Sequence, residues 1–165
     1  MELVRFTATV ETLVSAQRAF DRVVPRDDST LFRGYLVLPA VVGVSDVSGP
    51  WSVVGQQRTV HLSDGGRFRE EITLYDRPPT RTAGGRFDYR VTAFAGLLAH
   101  LVSDAEASWE YLPGSSATRG SIIRWTYGYR PLPGRTFVVR HLIGPLWLRY
   151  MRRSLAECVR VAEAP

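Results

Sequence analysis

Arg58 and Glu70 are the sharpest polar signal in the chain, because the alternation around them places both on the apolar side of a hairpin. Residues 56–62 and 67–75 are joined by the turn signal Ser63-Asp64-Gly65-Gly66. A three-residue loop over 64–66 sets Leu62 opposite Phe68 and Val60 opposite Glu70. It gathers Val60, Leu62, Phe68, Ile72 and Leu74 on one face, with Arg58 and Glu70 as diagonal neighbours on it. A loop of two or four residues would put Arg58 opposite Glu71 and mix apolar residues between faces, so three is preferred. Charges on an apolar face are costly unless paired, hydrogen-bonded or wet. Arg58 could then bind a carboxylate, phenolate or enolate oxygen while Glu70 orients it or serves as a base. The alternative is a structural ion pair.

Other reactive residues form no constellation. His61, His100 and His141 lie far apart without metal-ligand spacing, and His61 points away from the apolar face; no metal site is expected. His100 sits in an apolar stretch, 95–102, that could cap the entrance of a cavity. Ser45 lacks a nucleophile elbow because Val47 stands where the last glycine belongs, and neither phosphate-cradling glycine motif is present. Cys158, the single cysteine, falls among Ala156, Val159 and Ala162 and reads as a buried thiol. One thiol forms no internal bridge, so a reducing, cytoplasmic setting is expected.

With 165 residues, 45% hydrophobic and 22% charged, the chain reads as one soluble domain over 1–165. No apolar run is long enough for a membrane span, so membrane insertion is not expected. All 21 basic residues are arginine and asparagine is absent as well; AA-starting codons link both absences, so coding composition explains them. The net charge of +5 would suit an acidic partner, but the arginines are scattered and no nucleic-acid partner is expected. The densest group, Arg149, Arg152, Arg153 and Arg160, reads as a solvated helix face.

Alternation predicts a strand over 3–10, with Val4, Phe6, Ala8 and Val10 on one side. Ser15 can cap a helix carrying Ala16, Ala19, Phe20, Val23 and Val24 on one face, and Asp27 and Asp28 can cap a second through Leu31 and Phe32. Strands follow over 41–47, 56–62, 67–75, 86–94, 104–112 and 121–130. Phe87, Tyr89, Val91 and Ala93 share one face of the fifth of these seven. Trp109 and Tyr111, then Trp125, Tyr127 and Tyr129, share faces of the last two, which form a long hairpin through Pro113-Gly114-Ser115. A helix over 136–162, kinked near Gly144-Pro145, is the only long one. One helix cannot fill the concave side of a seven-stranded sheet, so a cavity is predicted.

This order resembles the START-like, Bet-v-1-like helix-grip fold of the SRPBCC superfamily, an α+β architecture that includes polyketide cyclase/dehydrase-related proteins. Local stretches resemble its bacterial members: Ser48-Gly49-Pro50-Trp51 with Val54-Gly55-Gln56-Gln57-Arg58, Ser63-Asp64-Gly65-Gly66 with Arg69-Glu70-Glu71, Ile123-Arg124-Trp125-Thr126-Tyr127, and Tyr150-Met151-Arg152-Arg153-Ser154-Leu155. The resemblance implies a curved seven-stranded antiparallel sheet wrapped on the C-terminal helix, two short helices after the first strand, and an apolar cavity for a small hydrophobic molecule. Trp109, Tyr111, Trp125, Tyr127, Tyr129 and Tyr89 would wall it, with Val60, Leu62, Phe68, Ile72, Arg58 and Glu70. Binding of an aromatic, polyketide-like or lipid molecule without any cofactor is the first functional expectation. A cyclase or aromatase using Arg58, Glu70, Tyr89 and Tyr127 to stabilise an enolate is the alternative. A protein-interaction module is the third, and a homodimer is left open.

Overall fold

The computed structural model describes residues 2–25, 28–36, 38–114 and 120–165. Seven antiparallel strands form one sheet: β1 (Val4–Thr12), β2 (Val41–Ser45), β3 (Gln57–Leu62), β4 (Arg67–Asp76), β5 (Gly85–Ala95), β6 (Val102–Pro113) and β7 (Ser121–Pro131). Their spatial order is β1-β7-β6-β5-β4-β3-β2. Between β1 and β2 run α1 (Ala16–Val23) and a 3-10 turn (Asp28–Thr30); a second 3-10 turn (Leu97–His100) links β5 to β6. The fold is the expected α+β helix grip. The capping role given to Asp27 and the Ser115 position of the β6–β7 turn lie outside the described residues.

Local chemistry explains most of this order. The Ser15 hydroxyl accepts the Arg18 N–H at 3.2 Å, which starts α1 and turns Ala16, Ala19, Phe20 and Val23 inward. The segment after it makes only the 3-10 turn, yet Leu31 and Phe32 are still buried in the core. Irregular pairing at Arg67/Arg69 and Ile72/Leu74 in β4–β5 and at Val102/Asp104 in β6–β7 bends the sheet. The bend gives it a concave face.

Two sequence expectations are corrected. The β3–β4 loop does span three residues, but they are Ser63 to Gly65: Leu62 N–H bonds to Gly66 O at 2.9 Å, and Arg58 stands directly opposite Glu70. Gly65 takes the left-handed conformation, φ +84°, that ends such a loop, and Asp64 Oδ1 accepts the Gly66 N–H at 2.8 Å. The glycine thus sets the register two residues from the one expected, and the shared face of Arg58 and Glu70 survives because the shift is even. Leu74 does not join that face. The irregularity after Ile72 reverses the alternation, so Leu74 is exposed and Tyr75 turns in, 5.2 Å from Phe20 and 6.0 Å from Phe87 between ring centroids.

The C-terminal helical segment has three parts: α2 (Thr136–Val138), one wide π turn (Val139–Ile143) and α3 (Gly144–Glu163). Pro145 has no N–H to return and its ring crowds the preceding turn; the wider turn, closed by Gly144 N–H on Val139 O, accommodates both. Its far end is pinned to the start of the chain. Glu163 Oε1 accepts Thr12 Oγ1–H and Leu13 N–H, each at 2.8 Å, which holds its carboxyl below the usual carboxylate range. Arg18 in turn donates to the carbonyls of Ala162 and Ala164.

Candidate functional site

Between the concave face and the last helix lies a cavity of about 70 Å³. Val60 and Leu62 reach it from β3, Phe68 and Glu70 from β4, Tyr89 and Phe94 from β5, and Trp125, Tyr127 and Tyr129 from β7. Phe32, Leu38, Pro39 and Leu98 line it from the segments between strands, Val41 from the start of β2, Ile143 from the π turn, and Trp147 and Tyr150 from α3. A second void of about 20 Å³ lies among Trp51, Arg58, Phe87, Tyr89, Trp109 and Tyr111 with neighbouring apolar residues. Tyr89 and Phe32 border both.

The aromatic wall expected from sequence is therefore divided. Trp109 and Tyr111 border only the smaller void: Trp109 stacks on Trp125 at 4.4 Å between centroids, and Tyr111 meets Phe20 edge-on at 5.1 Å. Ile72 is fully buried and borders neither void. The sequence missed Trp147 and Tyr150, whose i, i+3 spacing would have marked one helix face. It also missed Trp51, which no periodicity flags.

Arg58 and Glu70 form a buried pair. Arg58 Nε donates to Glu70 Oε2 at 2.8 Å and Nη2 lies 2.7 Å from the same oxygen; the side chains are 8% and 5% exposed. Trp51 covers the guanidinium, its ring centroid 4.0 Å from Cζ. Trp51 holds this place in a left-handed backbone conformation, φ +58°. Gln56 Oε1 braces its loop by accepting the Ser52 and Val53 N–H groups at 2.8 and 3.2 Å. Arg58 Nε and Nη2 both contact Oε2, and Glu70 is the charged residue that lines the cavity among the described residues.

Further polar groups at the wall are donors. Burial first, then neighbouring Tyr129, Tyr89, Glu70 and Tyr150, pushes the Tyr127 hydroxyl well above its ordinary value; burial and Tyr150 do the same for Tyr129. Both phenols stay protonated at neutral pH. Trp125 Nε1 and Trp147 Nε1 are buried without a hydrogen-bond partner among the described residues. Such donors forgo the solvation they had in water.

Elsewhere, His61 Nε2 lies 2.7 Å from Ser45 Oγ, which donates to Asp46 Oδ2 at 3.0 Å; none of the three borders the cavity. His100 is exposed at the end of its 3-10 turn, while Leu98 of that turn reaches the cavity. Cys158 is buried. Among the described residues no group of three or more His, Cys, Asp or Glu could hold a metal ion, and no helix is long and apolar enough to cross a membrane.

Residues 4–163 match the family described as polyketide cyclase/dehydrase and lipid transport. The chain belongs to that family. No curated protein matches the sequence of this cyclase/dehydrase and lipid transport family member. Among solved structures, truncated norcoclaurine synthase from Thalictrum flavum is similar at a TM-score of 0.68 and 17% identity, covering 100% of this chain and 98% of its own. The same synthase in complex with dopamine and hydroxybenzaldehyde gives 0.64 and 15%, covering 99% and 90%. Ara h 8.0201 gives 0.65 and 15%, covering 99% and 100%. At these identities the likeness establishes the Bet v 1-like fold.

Proposed function

We propose that the chain binds a small, mainly apolar ring molecule carrying an acceptor oxygen, such as a neutral ketone, between the sheet and α3. The observation that carries this reading is the pair of buried indole N–H groups, unbonded among the described residues, of Trp125 and Trp147, two residues that line the cavity. A carbonyl oxygen would satisfy a donor that the protein leaves open, while the rest of the ring system meets aromatic and aliphatic surface. The protonated Tyr127 and Tyr129 add neutral donors. Family membership and the fold it shares with a synthase seen with dopamine and hydroxybenzaldehyde support a small-ring guest.

Quenching of tryptophan fluorescence by α-tetralone and by tetralin, which differ by one carbonyl, tests this. The ketone is expected to bind about tenfold tighter, the worth of one good hydrogen bond. Equal affinity for the pair, or no binding of either, would sink the reading.

A second reading rests on Glu70, which lines the cavity and whose Oε2 is held by Arg58. That carboxylate can take a proton from the carbon next to a bound carbonyl, while the indole and phenol donors hold the developing enolate oxygen. Glu70 exchanges the abstracted proton with water before it returns one to the same carbon, so solvent hydrogen enters the guest. In D2O the chain would then exchange the α-hydrogens of α-tetralone, read by mass spectrometry, and Glu70→Gln would not. Binding without exchange identifies a carrier.

A further inference from the structure

The end of the cavity bounded by Leu38, Leu98 and Ile143 is ringed by apolar side chains that point into water. Leu36 is 73% exposed, Leu97 and Phe137 are 68%, and Leu142 is 58%. Three of them stand beside residues that line the cavity: Leu97 next to Leu98, Leu142 next to Ile143, and Leu36 across the tight turn that joins Tyr35 and Leu38 by two 2.9 Å backbone hydrogen bonds. Phe137 packs on exposed His141 one helical turn away, at 4.8 Å between rings. The three segments are held together around this end. Leu132 N–H bonds to Leu101 O at 2.9 Å, tying the loop that leads into the last helical segment to the residue after the 3-10 turn. Arg153 lies over the Tyr35 ring at 5.0 Å, tying α3 to the turn that carries Leu36.

The charge around this ring is predominantly positive, with exposed Asp64, on the β3–β4 loop that packs on Gly96, as an acidic neighbour. No acidic residue occurs from 111 to 156, a stretch that supplies Arg135, Arg140, Arg149, Arg152 and Arg153, all exposed. Nor does one occur in 29–45, which carries Arg33, or in 93–103. Arg77, Arg86, Arg124, Arg130 and Arg160 pair with carboxylates; among the described residues, none of the arginines at this end does. Exposed leucines and a phenylalanine set singly among unpaired cations match the layered chemistry of a bilayer surface. Apolar tips enter the acyl boundary while guanidinium groups stay at the phosphates. A nucleic acid would use the cations and leave the apolar side chains in water.

We propose that this end of the molecule docks peripherally on an anionic lipid bilayer, with Leu36, Leu97, Phe137 and Leu142 inserted and the surrounding arginines on the headgroup phosphates. The docking stands whether or not a guest occupies the cavity, so it is independent of the binding reading above.

Co-sedimentation of the full chain with phosphatidylcholine vesicles, with and without phosphatidylglycerol, tests it. The chain is expected to pellet with the phosphatidylglycerol vesicles, to bind neutral vesicles at least about tenfold more weakly, and to lose binding as salt is raised. Phe137→Ser with Leu142→Ser, and separately Arg149→Gln with Arg153→Gln, should each weaken the partition by about tenfold or more. Circular dichroism checks that these surface variants stay folded, and their tetralone affinity should not change. Absence of pelleting with anionic vesicles overturns the proposal, as does undiminished binding by either folded variant. Binding to duplex DNA or to an acidic protein without binding to vesicles would also overturn it, because the basic face would then serve that partner.

Discussion

Glu70 is only 4% exposed and Arg58 7%, so removing Arg58 strands the Glu70 charge where water scarcely reaches. The two guanidinium contacts on Oε2 and the Trp51 ring compensate the pair only while both members are present. Arg58→Leu is therefore expected to destabilise the fold by about 3–5 kcal/mol, whereas the double replacement Arg58→Leu with Glu70→Leu should lose less than that single change. Urea denaturation of the three proteins decides it. A double variant weaker than Arg58→Leu would show that a lone Glu70 carboxylate is not costly at this place. The residue types and shared face of this pair were legible because alternation survives an even slip in register. Its direct pairing was not, since that depended on which glycine of Gly65-Gly66 adopts positive φ. The Trp51 cover was invisible for a related reason: it comes from a loop whose conformation no period encodes.

At the scale of elements, α1 and every strand but β2 could be read from period and punctuation, because each has one wet face and one dry one. Strand β2, with Val42 and Val44 exposed, was marked only by the turn after it. The last helix was legible as a long element with a disturbance near Gly144-Pro145. The π turn, which places Ile143 at the cavity wall, was not legible. The missing N–H and the ring of Pro145 mark a disturbance without saying whether the helix bends, breaks or widens there. Gly144 shows how closely the helix approaches the sheet. A Cβ there would sit 2.5 Å from Phe6 Cε1 and 2.8 Å from Cζ, and the ring belongs to β1, which is paired to β7 along its length. Gly144→Ala would gain about 1 kcal/mol in helix propensity but must displace α3 or the ring, at about 1–3 kcal/mol. A net loss of stability in thermal denaturation is the expected outcome. Stabilisation would mean that α3 can lift from β1 at little cost.

For the whole molecule, the gap between sheet and helix was foreseeable from counting surfaces, but its size was not. Trp109 stacked on Trp125 and Trp147 stacked on Tyr150 fill much of the space that one helix leaves, so about 70 Å³ remains. Pockets that enclose drug-sized molecules run to about 300–1,000 Å³, so a ring guest needs room that the closed molecule does not offer. That room can come more easily from one side. The sheet residues are held by strand ladders, whereas Leu38, Leu98 and Ile143 belong to a short turn, a 3-10 turn and a π turn. Opening there separates short segments without breaking a strand pair, a motion expected on the microsecond to millisecond scale. Entry of α-tetralone, followed by stopped-flow tryptophan fluorescence, should then level off with rising concentration at the rate of opening, because the guest waits for the gate. Replacing Ile143 by Ala should raise that plateau by loosening the gate. A rate that climbs in proportion to concentration throughout the range would mean instead that the path to the aromatic wall is open before the guest arrives.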